Sequence, residues 1–313
     1  MQERRLPEVG PLDLKRTLKP IWAGAADPTM RVSASMLLKA THTPEGPATL
    51  GIEPLPEGGH LARTWGAGAA WLIERAPEWV GAADMPPEGF ATHHPELARF
   101  EKGARGLRLA RPRRVVEHLT VAVLQQLVTG KESKRAFERL VHTLSEPAPG
   151  PFPELWLPVA AEGLRRLDPA LFVPIGILPR MGETLRRVGA HADRLEAAAE
   201  MSLHDALQRL RCIQGIGPWT AHSVALGSLG HADAVPVGDY HLPSVVAHHL
   251  AGERDADDAR MLELLEPYAG QRGRVLRWIT MAGRGERPRR GPRTPVRELP
   301  EGSDRWLRGR RPA

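Results

Sequence analysis

Apolar and polar positions divide the chain into a strand-like first part and a helical second part. Between residues 11 and 83, the short runs Leu12–Leu18, Ser35–His42, Ala48–Ile52 and His60–Trp65 have the length and composition of strands. Thr43-Pro44-Glu45-Gly46 and Leu55-Pro56-Glu57-Gly58-Gly59 separate the later ones, since Pro presets a turn's first dihedral and Gly supplies a positive one. Gly68–Val80 then sets Trp71, Leu72, Arg75 and Trp79 on neighbouring turns, which predicts a helix. The pattern suits a small antiparallel sheet with a helix on one face. Met85-Pro86-Pro87-Glu88-Gly89 ends it, and a domain boundary is expected within 84–110, placed at 108.

From Val115 the period changes to that of helices. Val116, Leu119, Val123, Leu124 and Leu127 share a face in a helix expected over Val115–Thr129, and Ser133–Leu144 continues after Gly130. Glu146–Pro153, with four prolines, reads as a loop. Helices are predicted at Val159–Leu167, Met181–Met201, Leu203–Arg211, Trp219–Leu229, Leu242–Leu250, Asp257–Tyr268 and Arg272–Met281. Residues 284–313 hold too few apolar groups to pack and are expected to be a basic disordered tail. The expected organisation is an α+β domain over 1–108, a helical domain over 109–283, and the tail.

With 313 residues, 42% hydrophobic and 26% charged, the chain reads as soluble and globular. It has no apolar run of about 18 residues, so no membrane span is expected. The start, MQERRLPEVG, lacks the apolar stretch of a secretion signal, so none is expected, and the lone cysteine fits a cytoplasmic location. A single cysteine, Cys212, excludes an internal disulfide, a four-cysteine iron–sulfur cluster and a four-cysteine zinc site. The thirteen histidines are scattered, and His93–His94 and His248–His249 are adjacent rather than i, i+4, so no metal is expected. The net charge of +6 suggests an anionic partner. Ten arginines against four acids from Arg284 onward account for all of it. Residues 96–140 are locally basic too, with eleven Lys and Arg against five acids, and Lys131 and Lys134 are the best phosphate candidates there.

The most informative stretch is Leu210-Arg211-Cys212-Ile213-Gln214-Gly215-Ile216-Gly217-Pro218-Trp219-Thr220-Ala221. A helix ends, a G-I-G turn follows, and Pro218 and Trp219 open the next helix. Glycines one residue apart let the backbone approach a ligand, and the new helix's free N–H groups suit a phosphate oxygen. Ile213 and Ile216 would anchor the turn to the core. An ordinary helix–helix corner with a glycine C-cap fits the spacing equally well. Val235-Pro236-Val237-Gly238-Asp239-Tyr240, which places Asp239 eighteen residues after Ala221, precedes a helix. Taken alone, Asp239 reads first as an N-cap.

Together, I-Q-G-I-G-P-W-T-A and V-P-V-G-D resemble the helix-hairpin-helix DNA glycosylase superfamily, most closely the bacterial 3-methyladenine DNA glycosylase II group. Leu124-Gln125-Gln126-Leu127-Val128-Thr129 and Tyr268-Ala269-Gly270-Gln271-Arg272-Gly273-Arg274 are similar to further segments of that group. The resemblance implies a mainly α fold, in which two helical subdomains flank an active-site cleft, with an N-terminal antiparallel-sheet α+β domain. It implies Asp239 as catalytic carboxylate, and backbone contacts to DNA around Gly215, Ile216, Gly217 and Thr220. A monovalent cation at the hairpin carbonyls also follows from it. Leu127 would be the wedge that fills the gap left by a flipped base, with Gln126 beside it, and Trp219 and Tyr240 would line the base pocket.

Four positions depart from the pattern. Gln214 replaces the usual hairpin proline, and Trp219 stands where bifunctional members carry a lysine, so no Schiff base forms there. Ser223 occupies the place of a tyrosine, and Trp278 lies near but not at the family's C-terminal tryptophan.

The expected activity is monofunctional base-excision repair of alkylated purines, of the 3-methyladenine and 7-methylguanine type, in double-stranded DNA by a monomer. Base flipping exposes the bond, and Asp239 stabilises the oxocarbenium-like sugar and orients water. Alternatives are a non-catalytic damaged-DNA-binding module, a glycosylase for hypoxanthine or uracil, and a glycosylase/lyase.

Overall fold

The structure, a computed structural model, describes residues 1–86, 90, 94–282 and 296–297. Five strands, β1 Gln2–Arg5, β2 Met30–Val32, β3 Leu37–Thr43, β4 Gly46–Pro54 and β5 His60–Gly66, form one antiparallel sheet in the order β1-β5-β4-β3-β2. The β3–β4 hairpin turns at Pro44-Glu45: the Thr43 hydroxyl accepts from the Glu45 N–H (3.1 Å) and donates to the Gly46 carbonyl (2.8 Å), while Gly46 takes φ +120°.

Alternation gives the sheet two apolar faces. Leu37, Leu50 and Ile52 pack with Leu72, Ile73, Ala76 and Trp79 of helix α2, Ala69–Trp79. Leu38 and Ala40 point the other way, against Ala148 and Phe152 of the proline-rich loop and Leu155 and Leu157 just after it. Leu50, Leu72 and Trp79 are fully buried, each worth about 1.5–3 kcal/mol of transfer free energy.

Leu12–Leu18, expected as a strand, contains the short helix α1, Leu14–Thr17, because the Asp13 carboxylate caps it at the Arg16 N–H (2.9 Å). β1 and β2 were not foreseen. β1 is an edge strand of sequence QERR, held by backbone pairing to β5 rather than by an apolar stripe.

The remaining helices are α3 Pro95–Gly103, α4 Val115–Leu124, α5 Gly130–Leu144, α6 Ala161–Arg165, α7 Phe172–Ile175, α8 Pro179–Ala190 and α9 Ala192–Glu196, then α10 Leu203–Arg211, α11 Pro218–Gly227, α12 Leu242–Ala251, α13 Asp258–Leu265 and α14 Arg272–Ala282. They build two apolar cores. Residues of α4 to α11 form one. Leu97 and Phe100 of α3 join Val246, Met261, Leu265, Val275 and Ile279 of α12 to α14 in the other. The boundary expected at 108 thus falls after a helix whose buried face belongs to the C-terminal core. None of the described helices is long and apolar enough to cross a membrane.

Much of the basic run 96–140 joins elements together. Arg108 donates to the carbonyls of Val9 (2.6 Å), Gly81 (2.9 Å) and Asp84 (3.0 Å), and Arg111 to that of Ala199 (2.8 Å). Arg114 pairs with Glu196 at 2.9 Å. Glu117 of α4 receives the Thr41 hydroxyl and pairs with Lys39 of the sheet at 3.2 Å, which ties the two parts of the chain together. The expected tail lies outside the described residues, apart from 296–297. There Arg297 Nε donates to Glu132 Oε1 at 2.9 Å.

Candidate active site

An open cleft of about 750 Å³ lies between the two helical cores, within the size range of small-ligand sites. Three loops and one helix terminus line it. The first is the hairpin between α10 and α11. Ile213 and Ile216 are buried and clamp it to the core. Gly215 takes φ +99°, and a Cβ there would collide with the Thr184 hydroxyl. Gly217 is the N-cap of α11 with no side chain capping it, and a Cβ there would meet nothing within 4 Å. Pro218 follows at the first helical position, where its missing N–H costs nothing. The α11 terminus therefore presents backbone N–H groups to open space, the arrangement that binds anions.

The second loop overturns the expected continuous helix over Val115–Thr129. α4 stops at Leu124, and α5 starts from a capping box in which Glu132 Oε2 accepts from both the Thr129 N–H (2.8 Å) and its hydroxyl (2.7 Å). Between them Leu127 is 51% exposed at φ +56°. That left-handed conformation costs a leucine about 1–2 kcal/mol, and strain of this kind gathers at functional positions. Gln126 Nε2 donates to the Gly215 carbonyl (3.0 Å) and the Thr220 hydroxyl (2.8 Å), so it clasps this loop to the hairpin.

The third loop carries Asp239. Its Oδ1 accepts from the His241 N–H (2.7 Å) and the Leu242 N–H (2.9 Å) at the start of α12, whose N-cap position is His241. Its Oδ2 accepts from the Trp219 indole N–H at 2.8 Å. The cleft-facing carboxylate thus also ties down the first N–H groups of α12, without being its N-cap residue. Gly238 before it needs its φ of +86°, and its N–H donates to Asp258 Oδ2 at 2.7 Å.

Gln126, Leu127, Gly215, Gly217, Trp219, Thr220, Asp239 and Tyr240 all line the cleft. Tyr240 is 40% exposed, with its ring edge-on to His241. Others are placed differently. The Ile216 side chain lies in the core, so only its backbone belongs to the hairpin surface. The Thr220 side chain, though it borders the cleft, is buried and its hydroxyl accepts from Gln126. The Ser223 hydroxyl donates to the Trp219 carbonyl (2.8 Å), one turn back on α11, and does not line the cleft. Lys131 and Lys134 lie exposed on α5 outside the cleft, with the Lys134 chain against Gly24. Trp278 is buried beside Phe90 in the C-terminal core.

Asp258 and Arg180 are charged cleft residues that escaped the sequence reading. Asp257-Asp258 reads as a helix start, and Asp257 does cap α13. Arg180 follows Pro179 in the first turn of α8, and only packing brings that turn to the cleft. Among the described residues no three His, Cys, Asp or Glu gather to hold a metal ion. The hairpin carbonyls of Ile213 and Gly215 each accept one hydrogen bond, from the Ile216 N–H (3.0 Å) and from Gln126. Each keeps a second lone pair, a hard oxygen donor of the kind that suits an alkali cation.

No family model matches the chain. It is 28% identical over 138 residues, 42% of its length, to a Bacillus subtilis protein provisionally named DNA-3-methyladenine glycosylase YfjP, and the match spans about half (47%) of that relative. Among solved structures, a 3-methyladenine DNA glycosylase from Archaeoglobus fulgidus superposes with a TM-score of 0.73 at 16% identity, covering 91% of this chain and 99% of that one. An 8-oxoguanine glycosylase/lyase from Clostridium acetobutylicum, solved with double-stranded DNA, gives 0.67 at 12% identity over 88% and 92%. At such identities the structural likeness is one of fold.

Proposed function

We propose that this chain, whose fold is that of the helix-hairpin-helix DNA glycosylases, is a monofunctional DNA glycosylase that releases alkylated purines of the 3-methyladenine and 7-methylguanine type. The observation that carries the reading is the Asp239 carboxylate. Three donors hold it in the cleft, beside an uncapped helix terminus suited to a phosphate.

N-glycosidic cleavage builds positive charge on the deoxyribose, and a fixed carboxylate stabilises it without reorganising. An alkylated purine is already cationic, so it leaves without a strong general acid. The nucleotide must leave the stack to reach Asp239, at a cost of a few kcal/mol, and Leu127, apolar and exposed, is suited to fill the gap it leaves. Trp219 and Tyr240 offer aromatic faces to a cationic base, each contact worth about 0.5–2 kcal/mol. Among the described residues no lysine lines the cleft, which favours base removal without a Schiff base. A monovalent cation at the hairpin carbonyls would add positive field toward the DNA backbone, and no step of base release depends on it.

The test is release of 3-methyladenine and 7-methylguanine from a defined duplex under single turnover. Asp239→Asn is expected to slow it about 100-fold, and normal release by that variant overturns the mechanism. Tight binding to an abasic duplex with no release of any damaged base would make the protein a binding module. A covalent adduct trapped by borohydride would make it a lyase.

A further inference from the structure

Asp258 faces the cleft from the first turn of α13, twenty residues beyond Gly238. Its Oδ2 accepts the Gly238 N–H at 2.7 Å, and its Oδ1 is buried with no hydrogen-bond partner among the described residues. Gly238 sits in the left-handed region, one of several conformations open to a glycine, so a contact is needed to select it. The bonded N–H belongs to the Val237–Gly238 peptide, and Asp239 is the next residue after Gly238. Its own contacts fix the carboxylate against α12 and Trp219, but none of them fixes the Val237–Gly238 peptide. Asp257 already caps α13 by accepting the Arg260 N–H (2.9 Å), so the helix does not need Asp258 for that purpose.

We infer that Asp258 is a positioning residue for Asp239: by accepting the Gly238 N–H it holds the left-handed peptide that aims the catalytic carboxylate into the cleft. The inference rests on the proposed glycosylase activity for its kinetic consequence, but not for its structural one. A hydrogen bond to a carboxylate is stronger than one between neutral groups, so its loss frees the loop on the cleft side while α12 and α13 stay packed. An asparagine keeps an acceptor oxygen of the same reach and removes only the charge.

The experiment compares Asp258→Ala and Asp258→Asn in the full chain. Hydrogen exchange over residues 233–242 should speed up at least tenfold in the alanine variant and stay within threefold of the parent in the asparagine variant. Single-turnover release of 7-methylguanine should fall about tenfold in the alanine variant, recover to within threefold in the asparagine variant, and leave affinity for an abasic-site duplex within twofold throughout. Unchanged exchange in Asp258→Ala overturns the clasp itself, whether or not the protein proves to be a glycosylase. Faster exchange with an unchanged release rate overturns the link to Asp239. Equal losses in both variants overturn the acceptor role in favour of charge. If no damaged base is released by the parent protein, the proposed activity fails while the exchange arm still decides the clasp. A thermal melt of each variant separates these outcomes from global unfolding, since exchange that rises uniformly along the chain also counts against a local role.

Discussion

Replacing each hairpin glycine by alanine should separate folding from DNA binding. At Gly215 the added methyl meets two obstacles. Its φ of +99° is strained for any residue with a Cβ, costing about 1–2 kcal/mol. It would also collide with Thr184, itself buried and bonded to the Arg180 carbonyl (2.8 Å), at about 1–3 kcal/mol for overpacking. Gly215→Ala should therefore lose about 2–5 kcal/mol in denaturant unfolding, and Thr184→Ala should recover the collision part only. At Gly217 the backbone is extended, with φ −89° and ψ −178°, and the space is open. Gly217→Ala should fold as well as the parent, or better by about 0.4–1 kcal/mol through a less flexible unfolded chain.

Its methyl would nonetheless stand where a phosphate approaches the α11 terminus. Loss of one charge-assisted hydrogen bond, about 1.5–3 kcal/mol, corresponds to about 10- to 150-fold weaker binding. Fluorescence anisotropy with a duplex carrying an abasic-site analogue, at fixed salt because phosphate binding is salt-dependent, reads that change. Normal binding by a well-folded Gly217→Ala protein would refute the phosphate role of the hairpin backbone and leave it an ordinary corner between helices.

Stability should also respond to pH through His118, whose imidazole is pushed down to about 4 by burial, against a hydrogen bond with the Pro20 backbone that raises it. A depressed imidazole stabilises the fold fully above pH 6.5. That contribution shrinks as pH falls toward 4, because the unfolded chain takes up the proton first, by about 3 kcal/mol in total. Denaturant titrations at pH 7 and pH 4.5 should show a larger acid loss for the parent than for His118→Asn, and equal losses would contradict the burial argument. Leu127→Gly should leave the melting temperature unchanged or raised, since it relieves a left-handed leucine without emptying the core, yet slow base release; a variant that melts early would show that Leu127 serves packing instead.

The sheet and the helical cores were legible from periodicity because each element buries a face. β3, β4, β5 and α2 show this directly. β1 and α1 were not, since one is a polar edge strand and the other depends on a single aspartate cap. The hairpin and Asp239 were also readable, because G-I-G and V-P-V-G-D impose their backbone within a few residues. Folding decided what crosses long stretches of chain. It ended α4 at Leu124, put Leu127 into a left-handed turn, set Gln126 against Gly215 across 89 residues, and brought the Trp219 N–H to Asp239 and Asp258 to Gly238. Local sequence determines which backbone shapes are cheap. Which side chains then meet depends on how two cores pack around the cleft, and no spacing along the chain encodes that.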